Sequence, residues 1–94
     1  MEVRWTRKAL ANLDQEAEYI AQDSPQAAVR IVEQIRSSVQ TLQDFPALGR
    51  PGRVSGTREL VISETPYIVP YRIREKTVEI LRVLHSSRKW PLRF

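Results

Sequence analysis

The chain has 94 residues, of which 41% are hydrophobic and 28% charged, and its formal net charge is +4 at pH 7. This length predicts one domain over residues 1 to 94, with a single modest core. The sequence has no cysteine and one histidine, which excludes disulfides, thiolate metal sites and the usual zinc ligand sets. No apolar run approaches the roughly 18 to 20 residues of a membrane span, and the N-terminus lacks a signal-peptide pattern, so we expect a cytoplasmic protein without a membrane segment.

The two halves of the chain differ in charge. Residues 1–49 carry five basic and seven acidic side chains, whereas residues 50–94 carry ten basic and four acidic ones. Eight of those ten basic residues are arginine, whose flat guanidinium suits carboxylate and phosphate. The second half therefore predicts either a polyanionic partner, nucleic acid or an acidic peptide, or simply a well-solvated surface. All three glycines lie between residues 49 and 56 without the spacing of a phosphate loop, and we expect no cofactor.

The first half predicts a strand and two helices. Residues 2–5 alternate as a short strand, and Thr6 then occupies a helix N-cap position. Ser24 and Pro25 are a typical start for a second helix, which must end before the prolines and glycines of "DFPALGRPG". Two helices joined by so few residues form an antiparallel hairpin. Their apolar stripes contain Leu10, Leu13, Ala17, Ile20 and Ala21, and then Ala28, Ile31, Val32, Ile35, Val39 and Leu42.

The second half predicts three strands, over residues 57–63, 67–74 and 77–85, joined by short turns. The last of them is the most apolar and is expected inside the sheet, whereas Pro70 implies an edge position or a bulge. The order β-α-α-β-β-β predicts an α+β fold, with the helical hairpin packed on one face of a small, mainly antiparallel sheet. The inward-facing residues are expected to be Leu60, Ile62, Tyr67, Val69, Tyr71, Ile73, Val78, Ile80 and Leu84. The opposite face should then be open and cationic, with Arg58, Arg72, Arg74 and His85 on it or at its rim.

Three residues near the C-terminus have alternative interpretations. His85 is either a general acid or base, or a polar strand end facing water. Arg82 interrupts an apolar strand, so it either pairs with a carboxylate such as Glu79 or reaches the open face. Trp90 either offers a stacking surface for a base or folds its ring onto the end of the domain.

The chain resembles the RelE/ParE superfamily of toxins from type II toxin–antitoxin modules over about residues 2 to 91. The resemblance lies in "VRWTRKALANL", in "SPQAA", and in "GTRELVISETPYIVPYRIREKTVEILRVLHSSRKWP", with "VEILRVLH" followed by Arg and "WP" as its most specific part. It implies a growth inhibitor held inactive in a hetero-oligomer by a cognate antitoxin, whose acidic segment wraps the toxin. The basic second half of this chain complements such a segment.

The resemblance implies one of two targets. RelE-like members cut messenger RNA on the ribosome, and in that case His85 is the acid or base while Arg58, Arg72 and Arg88 hold phosphate. ParE-like members bind DNA gyrase and are not enzymes, and in that case Arg74, Arg82, Lys89 and Trp90 contact gyrase or the antitoxin. Ile68 stands where RelE-like enzymes have an arginine, and "YIVPYRI" is closer to the ParE pattern. We therefore predict a gyrase inhibitor, with the RNA-cleaving toxin and a basic nucleic-acid-binding module as alternatives.

Overall fold

The computed structural model describes residues 1–94, and its helices and strands follow the predicted order. The elements are β1 (Glu2–Trp5), α1 (Arg7–Asp23), α2 (Pro25–Gln40), a single 3-10 turn (Thr41–Gln43), β2 (Arg50–Pro51), β3 (Arg58–Val61), β4 (Tyr67–Arg74), β5 (Thr77–Ile80) and β6 (Leu84–His85). The short β2 was not predicted, and β6 results from a break in the predicted last strand. The predicted α+β class, two helices packed on a mainly antiparallel sheet, is confirmed.

Both helices begin where the sequence predicts. Thr6 precedes α1 in an extended conformation, and its hydroxyl accepts a hydrogen bond from the main-chain N–H of Ala9 at 3.2 Å. The hydroxyl of Ser24 accepts from Ala27 in the same way at 3.1 Å, and Pro25 occupies the first helical position. Because a single residue separates the two helices, they pack against each other as the predicted hairpin.

The sheet has the strand order β1-β5-β4-β3-β2, and β6 pairs with β4 beyond the end of β5. Only β1 and β5 run parallel, with Val3 opposite Val78, and all other pairs are antiparallel. The predicted interior position of the last strand is confirmed, since β5 lies between β1 and β4. The longest strand, β4, is central, and β1 and β2 are the two edges.

The core fills the space between the hairpin and one face of the sheet. Ile73 lies on the predicted face, opposite Val78, but is 43% exposed. The predicted inward position of Leu84 is wrong, because Leu84 pairs with Ile68 on the opposite face and is only half-buried. Ile73 lies beyond the reach of β3, whose first residue, Arg58, pairs with Tyr71. Val83 is buried in place of Leu84. Ala9 is buried in place of the predicted Leu10, which is 47% exposed. The remaining core residues agree with the predicted alternation: Leu13, Ile35, Val39, Leu42, Leu60, Ile62, Tyr67, Val69, Tyr71, Val78 and Ile80.

Pro70 produces a bulge in the middle of the sheet. Its ring leaves no N–H to donate to a neighbouring strand. Pairing of β4 with β5 ends at Tyr71 and resumes with β6 at Ile68, so residues 81–83 stand opposite only two residues of β4. The bulge that Pro70 predicts is confirmed, but it lies in the partner strand and divides the predicted strand 77–85 in two. It also shifts the alternation by one residue, which is why Val83 replaces Leu84 in the core.

Arg82 lies within this bulge and is held from the helix side. Its Nε donates to Oδ1 of Asn12 on α1 at 2.8 Å, and the same oxygen accepts the main-chain N–H of Val83 at 3.2 Å. Both predicted alternatives, a carboxylate partner and projection to the open face, are therefore wrong. Asn12 satisfies an N–H that the bulge has removed from the strand pairing.

The face of the sheet away from the helices was predicted to be open and cationic, but two buried carboxylates neutralise part of its charge. Glu59, only 2% exposed, accepts hydrogen bonds from Arg50 Nε at 3.1 Å and from the main-chain N–H and Nε of Arg53 at 2.9 and 3.1 Å. Burial opposes ionisation of this carboxyl, but the arginine hydrogen bonds outweigh it and hold the pKa of Glu59 below its ordinary value.

A second buried carboxylate repeats the arrangement on the neighbouring strand. Glu79 accepts a hydrogen bond from Arg72 Nε at 2.7 Å and also pairs with Arg4. The hydrogen bond from Arg72 is the main cause that lowers the pKa of Glu79, with burial opposing it and Arg4 adding to it. Four arginines of this face are thus paired with two buried glutamates, so much of their charge is neutralised within the chain.

The C-terminal segment also covers part of this face. The guanidinium of Arg53 stacks on the ring of Trp90, 3.6 Å from its centroid, while it holds Glu59. Trp90 is half-buried and its indole Nε1 is fully buried without a hydrogen-bond partner. Pro70, which pairs with Glu59 in the sheet, is fully buried as well. Of the two predicted roles of Trp90, packing of the ring onto the domain is the one observed.

Candidate functional site

The single histidine belongs to a group of polar side chains where β4, β6 and α1 meet. Tyr67 and His85 are register partners, and their rings stand edge-on with centroids 5.5 Å apart. The phenol of Tyr67 donates to Oε1 of Glu16 at 3.0 Å, and Arg88 Nη1 donates to the other oxygen, Oε2, at 2.6 Å. These four residues, Glu16, Tyr67, His85 and Arg88, are called the Tyr67 cluster below.

The phenol in this cluster is a proton donor at neutral pH. Burial and the hydrogen bond to Glu16 raise the pKa of Tyr67 to about 12. Arg88 balances the negative charge of Glu16, so the ring of His85 lies beside a neutral phenol and a neutralised ion pair.

His85 is oriented by the residues that follow it. Its Nδ1 accepts the main-chain N–H of Ser87 at 3.2 Å and lies 2.8 Å from the Ser87 hydroxyl. A ring nitrogen that accepts an N–H carries no proton, so the neutral ring has its proton on Nε2. Nε2 makes no hydrogen bond within the chain and is the nitrogen left for acid or base chemistry. No carboxylate orients this ring, in contrast to the triad arrangement.

Only two of the four predicted catalytic residues come together. His85 and Arg88 share the Tyr67 cluster, whereas Arg58 donates to the carbonyl oxygen of Gly49 at 2.7 Å and Arg72 is bound to Glu79. Arg58 lies opposite Tyr71, four residues from Tyr67, which is about 13 Å along the strand. Arg58, Arg72 and His85 were expected on or near one face of the sheet, but Arg58 and His85 pair with the core residues Tyr71 and Tyr67, whereas Arg72 pairs with Glu79 on the opposite face.

The predicted binding residues divide in the same way. Arg74 and Lys89 are exposed and make no hydrogen bond or ion pair, so both are free to meet a partner. Arg74 borders a polar crevice of about 270 Å³ at the β4–β5 turn. Arg82 is bound to Asn12, and Trp90 lies beneath Arg53. Of these four, two are accessible and two are engaged within the chain.

A large concavity lies between the hairpin and β1, and the sequence analysis did not predict it. This groove has a volume of about 1060 Å³. A signal was present, since three positions of the predicted apolar stripes, Ala17, Ala21 and Ala28, carry side chains too small to fill the space beside β1. The groove is lined by apolar residues Val3, Trp5, Ala17, Ala21, Pro25, Ala28, Val29 and Val32, with Glu18, Glu33, Arg36, Ser37 and Gln40 among them.

The structure contains neither a metal-binding cluster nor a helix that could span a membrane. Nowhere do three His, Cys, Asp or Glu side chains lie where they could share a metal ion. Neither helix is long and apolar enough to cross a membrane.

Comparisons with known proteins agree on one family. The model of the ParE toxin of the type II toxin–antitoxin system parDE matches residues 3–90. The chain is 51% identical to Y4kP of Sinorhizobium fredii, a candidate toxin, over 89 residues that cover 95% of this chain and 92% of the relative. It is 36% identical to Toxin RelE2 of Caulobacter vibrioides over 87 residues, 93% of this chain and 97% of the relative.

A solved structure leads to the same conclusion. A chain from the chromosomal ParDE TA system of P. aeruginosa superimposes with a TM-score of 0.84 at 35% sequence identity, covering 90% of this chain and 95% of that one. The chain belongs to the ParE toxin family and is a toxin of the type II toxin–antitoxin class.

Proposed function

We propose that this toxin inhibits growth in the cytoplasm by binding DNA gyrase through protein contacts, without cleaving RNA. The observation that carries the proposal is the internal pairing of the arginines that an RNA-cleaving site needs. Arg72 is bound to Glu79, Arg88 is bound to Glu16, and Arg58 is bound to main-chain carbonyls. Guanidinium groups held by internal acceptors are not positioned to stabilise charge developing on a phosphate.

The surroundings of Ile68 support the same choice. An RNA-cleaving site of the RelE-like kind would have an arginine at the position that Ile68 occupies in β4. Ile68 is only 6% exposed and lies on the face of the sheet opposite the core. An apolar, buried side chain at this place supplies neither charge nor a hydrogen bond to a scissile phosphate.

We propose further that a cognate antitoxin neutralises the toxin in a hetero-oligomer, as the ParDE relative suggests. Its acidic segment is assigned to the free cations Arg74 and Lys89 of the basic half. An apolar helix face of the same antitoxin is assigned to the groove between the hairpin and β1, because this groove is mainly apolar in its lining and has a volume of about 1060 Å³.

The test adds the purified protein to a supercoiling assay with DNA gyrase, beside a message-cleavage assay on translating ribosomes. We expect supercoiling to fall and the messages to stay intact, and the antitoxin to restore supercoiling. The variant His85→Ala should inhibit supercoiling nearly as well as the wild type. Intact supercoiling with cut messages would refute the proposal.

The RNA-cleaving alternative has one observation in its favour, the Tyr67 cluster itself. It places the ring of His85 edge-on to Tyr67, whose phenol is a proton donor, in one cluster with Arg88. If this is the working site, His85→Ala abolishes growth inhibition upon induced expression while antitoxin binding survives. The gyrase proposal expects that substitution to have a mild effect on growth inhibition.

A further inference from the structure

A β-turn between the 3-10 turn and β2 exposes two large apolar side chains. The main-chain N–H of Leu48 donates to the carbonyl oxygen of Phe45 at 3.1 Å, with Pro46 at the second position, where proline is favoured. The side chain of Phe45 is 65% exposed and that of Leu48 is 58% exposed. Both project from the ends of one turn, which lie within about 7 Å of each other. They are called the Phe45–Leu48 pair below.

The backbone of this turn is fixed by two side chains from the sheet. The fully buried Tyr71 donates its phenol proton to the carbonyl oxygen of Pro46 at 2.8 Å and accepts the main-chain N–H of Gly49 at 2.8 Å. Arg58 Nη1 donates to the carbonyl oxygens of Gly49 at 2.7 Å and of Ala47 at 3.4 Å. The four bonds all go to main-chain groups, so they hold the turn without using its side chains.

The turn also rests directly on the tyrosine, and this requires a glycine. A Cβ at Gly49 would lie 2.6 Å from Cε1 of Tyr71 and 2.9 Å from the carbonyl oxygen of Glu59. The chain therefore has its smallest residue where the turn approaches the sheet, while its two apolar side chains point away from the core.

We infer that the Phe45–Leu48 pair enters an apolar pocket on the protein that the toxin inhibits. The inference rests on the proposed function, under which that protein is DNA gyrase. Two exposed apolar side chains on an already ordered backbone lose little entropy on binding, and such anchors dominate protein interfaces.

The turn is separate from the groove that is assigned to the antitoxin, which favours the target as the partner of this pair. No residue of the turn lines the groove beside β1. Arg50 follows the turn and is half exposed, and together with Arg53 it carries one more charge than the Glu59 that both hold. The matching pocket should therefore have a carboxylate at its rim.

The test compares two double variants in gyrase supercoiling and in antitoxin binding. The first is Phe45→Ser with Leu48→Ser. The matched control is Leu10→Gln with Val61→Thr, which removes similarly exposed apolar surface from α1 and β3. We expect the turn variant to raise the half-inhibitory concentration at least about 100-fold, as loss of two interface anchors does, with the control within about threefold. Antitoxin affinity should be unchanged in both, and circular dichroism should report folded proteins.

A third variant tests the fixed backbone. Tyr71→Phe keeps both apolar side chains but frees Pro46 and Gly49, so inhibition should weaken by about tenfold at a temperature where the variant is folded. The inference is wrong, and the proposed function stands, if the wild type inhibits gyrase and the turn variant inhibits it equally. It is also wrong if the turn variant loses antitoxin binding or DNA binding but still inhibits gyrase. If the wild-type protein leaves supercoiling unchanged, the proposed function is refuted, and gyrase can then no longer be the partner of the Phe45–Leu48 pair.

Discussion

The two ends of β4 use the same residue type on the same buried face in different ways. Tyr67 and Tyr71 are both in the core, four residues apart. At one end Tyr71 bonds only main-chain groups, of Pro46 and Gly49, and thereby fixes a turn. At the other end Tyr67 bonds the carboxylate of Glu16, which also holds Arg88 of the C-terminal segment.

The acceptor at each end decides how that end responds to its surroundings. The main-chain partners of Tyr71 carry no charge, so the Tyr71 end keeps its bonds at high salt and at any pH at which the phenol is protonated. The Tyr67 end depends on a charge pair whose arginine is 48% exposed, and such pairs weaken with salt. We therefore expect substitutions at the Tyr71 end to lower the free energy of unfolding more than substitutions at the Tyr67 end. The stability of the Tyr67 end should also depend on salt.

The largest effect is expected for Gly49→Ala at the Tyr71 end. The added Cβ meets the tyrosine ring and a main-chain oxygen, neither of which can move away freely. We expect the free energy of unfolding in urea to fall by about 3 kcal/mol, from overpacking and weakened hydrogen bonds. The control is Gly56→Ala, where φ is +79° but the space is open, and which should cost only about 1 kcal/mol. Equal costs for the two variants would contradict the close approach.

Alkaline pH should affect the Tyr67 end next. Because burial and Glu16 raise the pKa of Tyr67 from 10.0 to about 12, the folded protein holds the phenol proton more tightly than the unfolded chain does. This stabilisation is complete below pH 10 and is lost as the pH rises through 12, and it amounts to at most about 2.7 kcal/mol. Burial also raises the pKa of Tyr71, but no carboxylate faces it.

Unfolding free energies of the wild type and Tyr67→Phe, measured across that pH range, isolate the contribution of Tyr67. The wild type should lose stability more steeply than the variant, in which Tyr71 still titrates. Parallel curves would mean that neither burial nor Glu16 raises the pKa of Tyr67 in the folded protein.

Removing each hydroxyl separately compares the two ends directly. Tyr71→Phe leaves the buried N–H of Gly49 and the carbonyl of Pro46 without their partner, and we expect it to cost about 2 kcal/mol. Tyr67→Phe should cost about 1 kcal/mol, because Glu16 remains paired with Arg88. Urea denaturation at neutral pH measures both, and a larger cost for Tyr67→Phe would reverse the comparison.

The elements of the fold were predictable because their signals are local. Thr6, Ser24 and Pro25 mark the helix starts, and the predicted bounds of β4 agree with the structure. One side-chain pair was also within reach, since the two-residue turn after Arg74 sets the register that places Arg72 opposite Glu79. The pairing of Arg72 with Glu79 was therefore predictable from the sequence.

The candidate site was less predictable because its contacts join distant parts of the chain. Arg88 meets Glu16 across 72 positions, and Asn12 meets Arg82 across 70. Periodicity shows which face a residue occupies but gives no distance along the strand, so it could not separate Arg58 from His85. The groove beside β1 depends on the distance between the helical hairpin and β1. The small residues of the apolar stripes indicate a gap there but do not give its size.

The smallest effect is expected for Glu16→Gln, which tests whether the Tyr67 end acts as a releasable attachment of the C-terminal segment. The amide can still accept from Tyr67, but it removes the charge that holds Arg88, so the cost should be about 0.5 kcal/mol at low salt and near zero at high salt. Hydrogen exchange of residues after His85 should quicken while that of the Phe45–Leu48 turn stays unchanged. Glu18→Gln is the matched control, since that carboxylate lies on the same helix without an ion-pair partner. A cost that salt does not reduce would show that hydrogen-bond geometry, and not charge, holds the segment, and the two ends of β4 would then be alike.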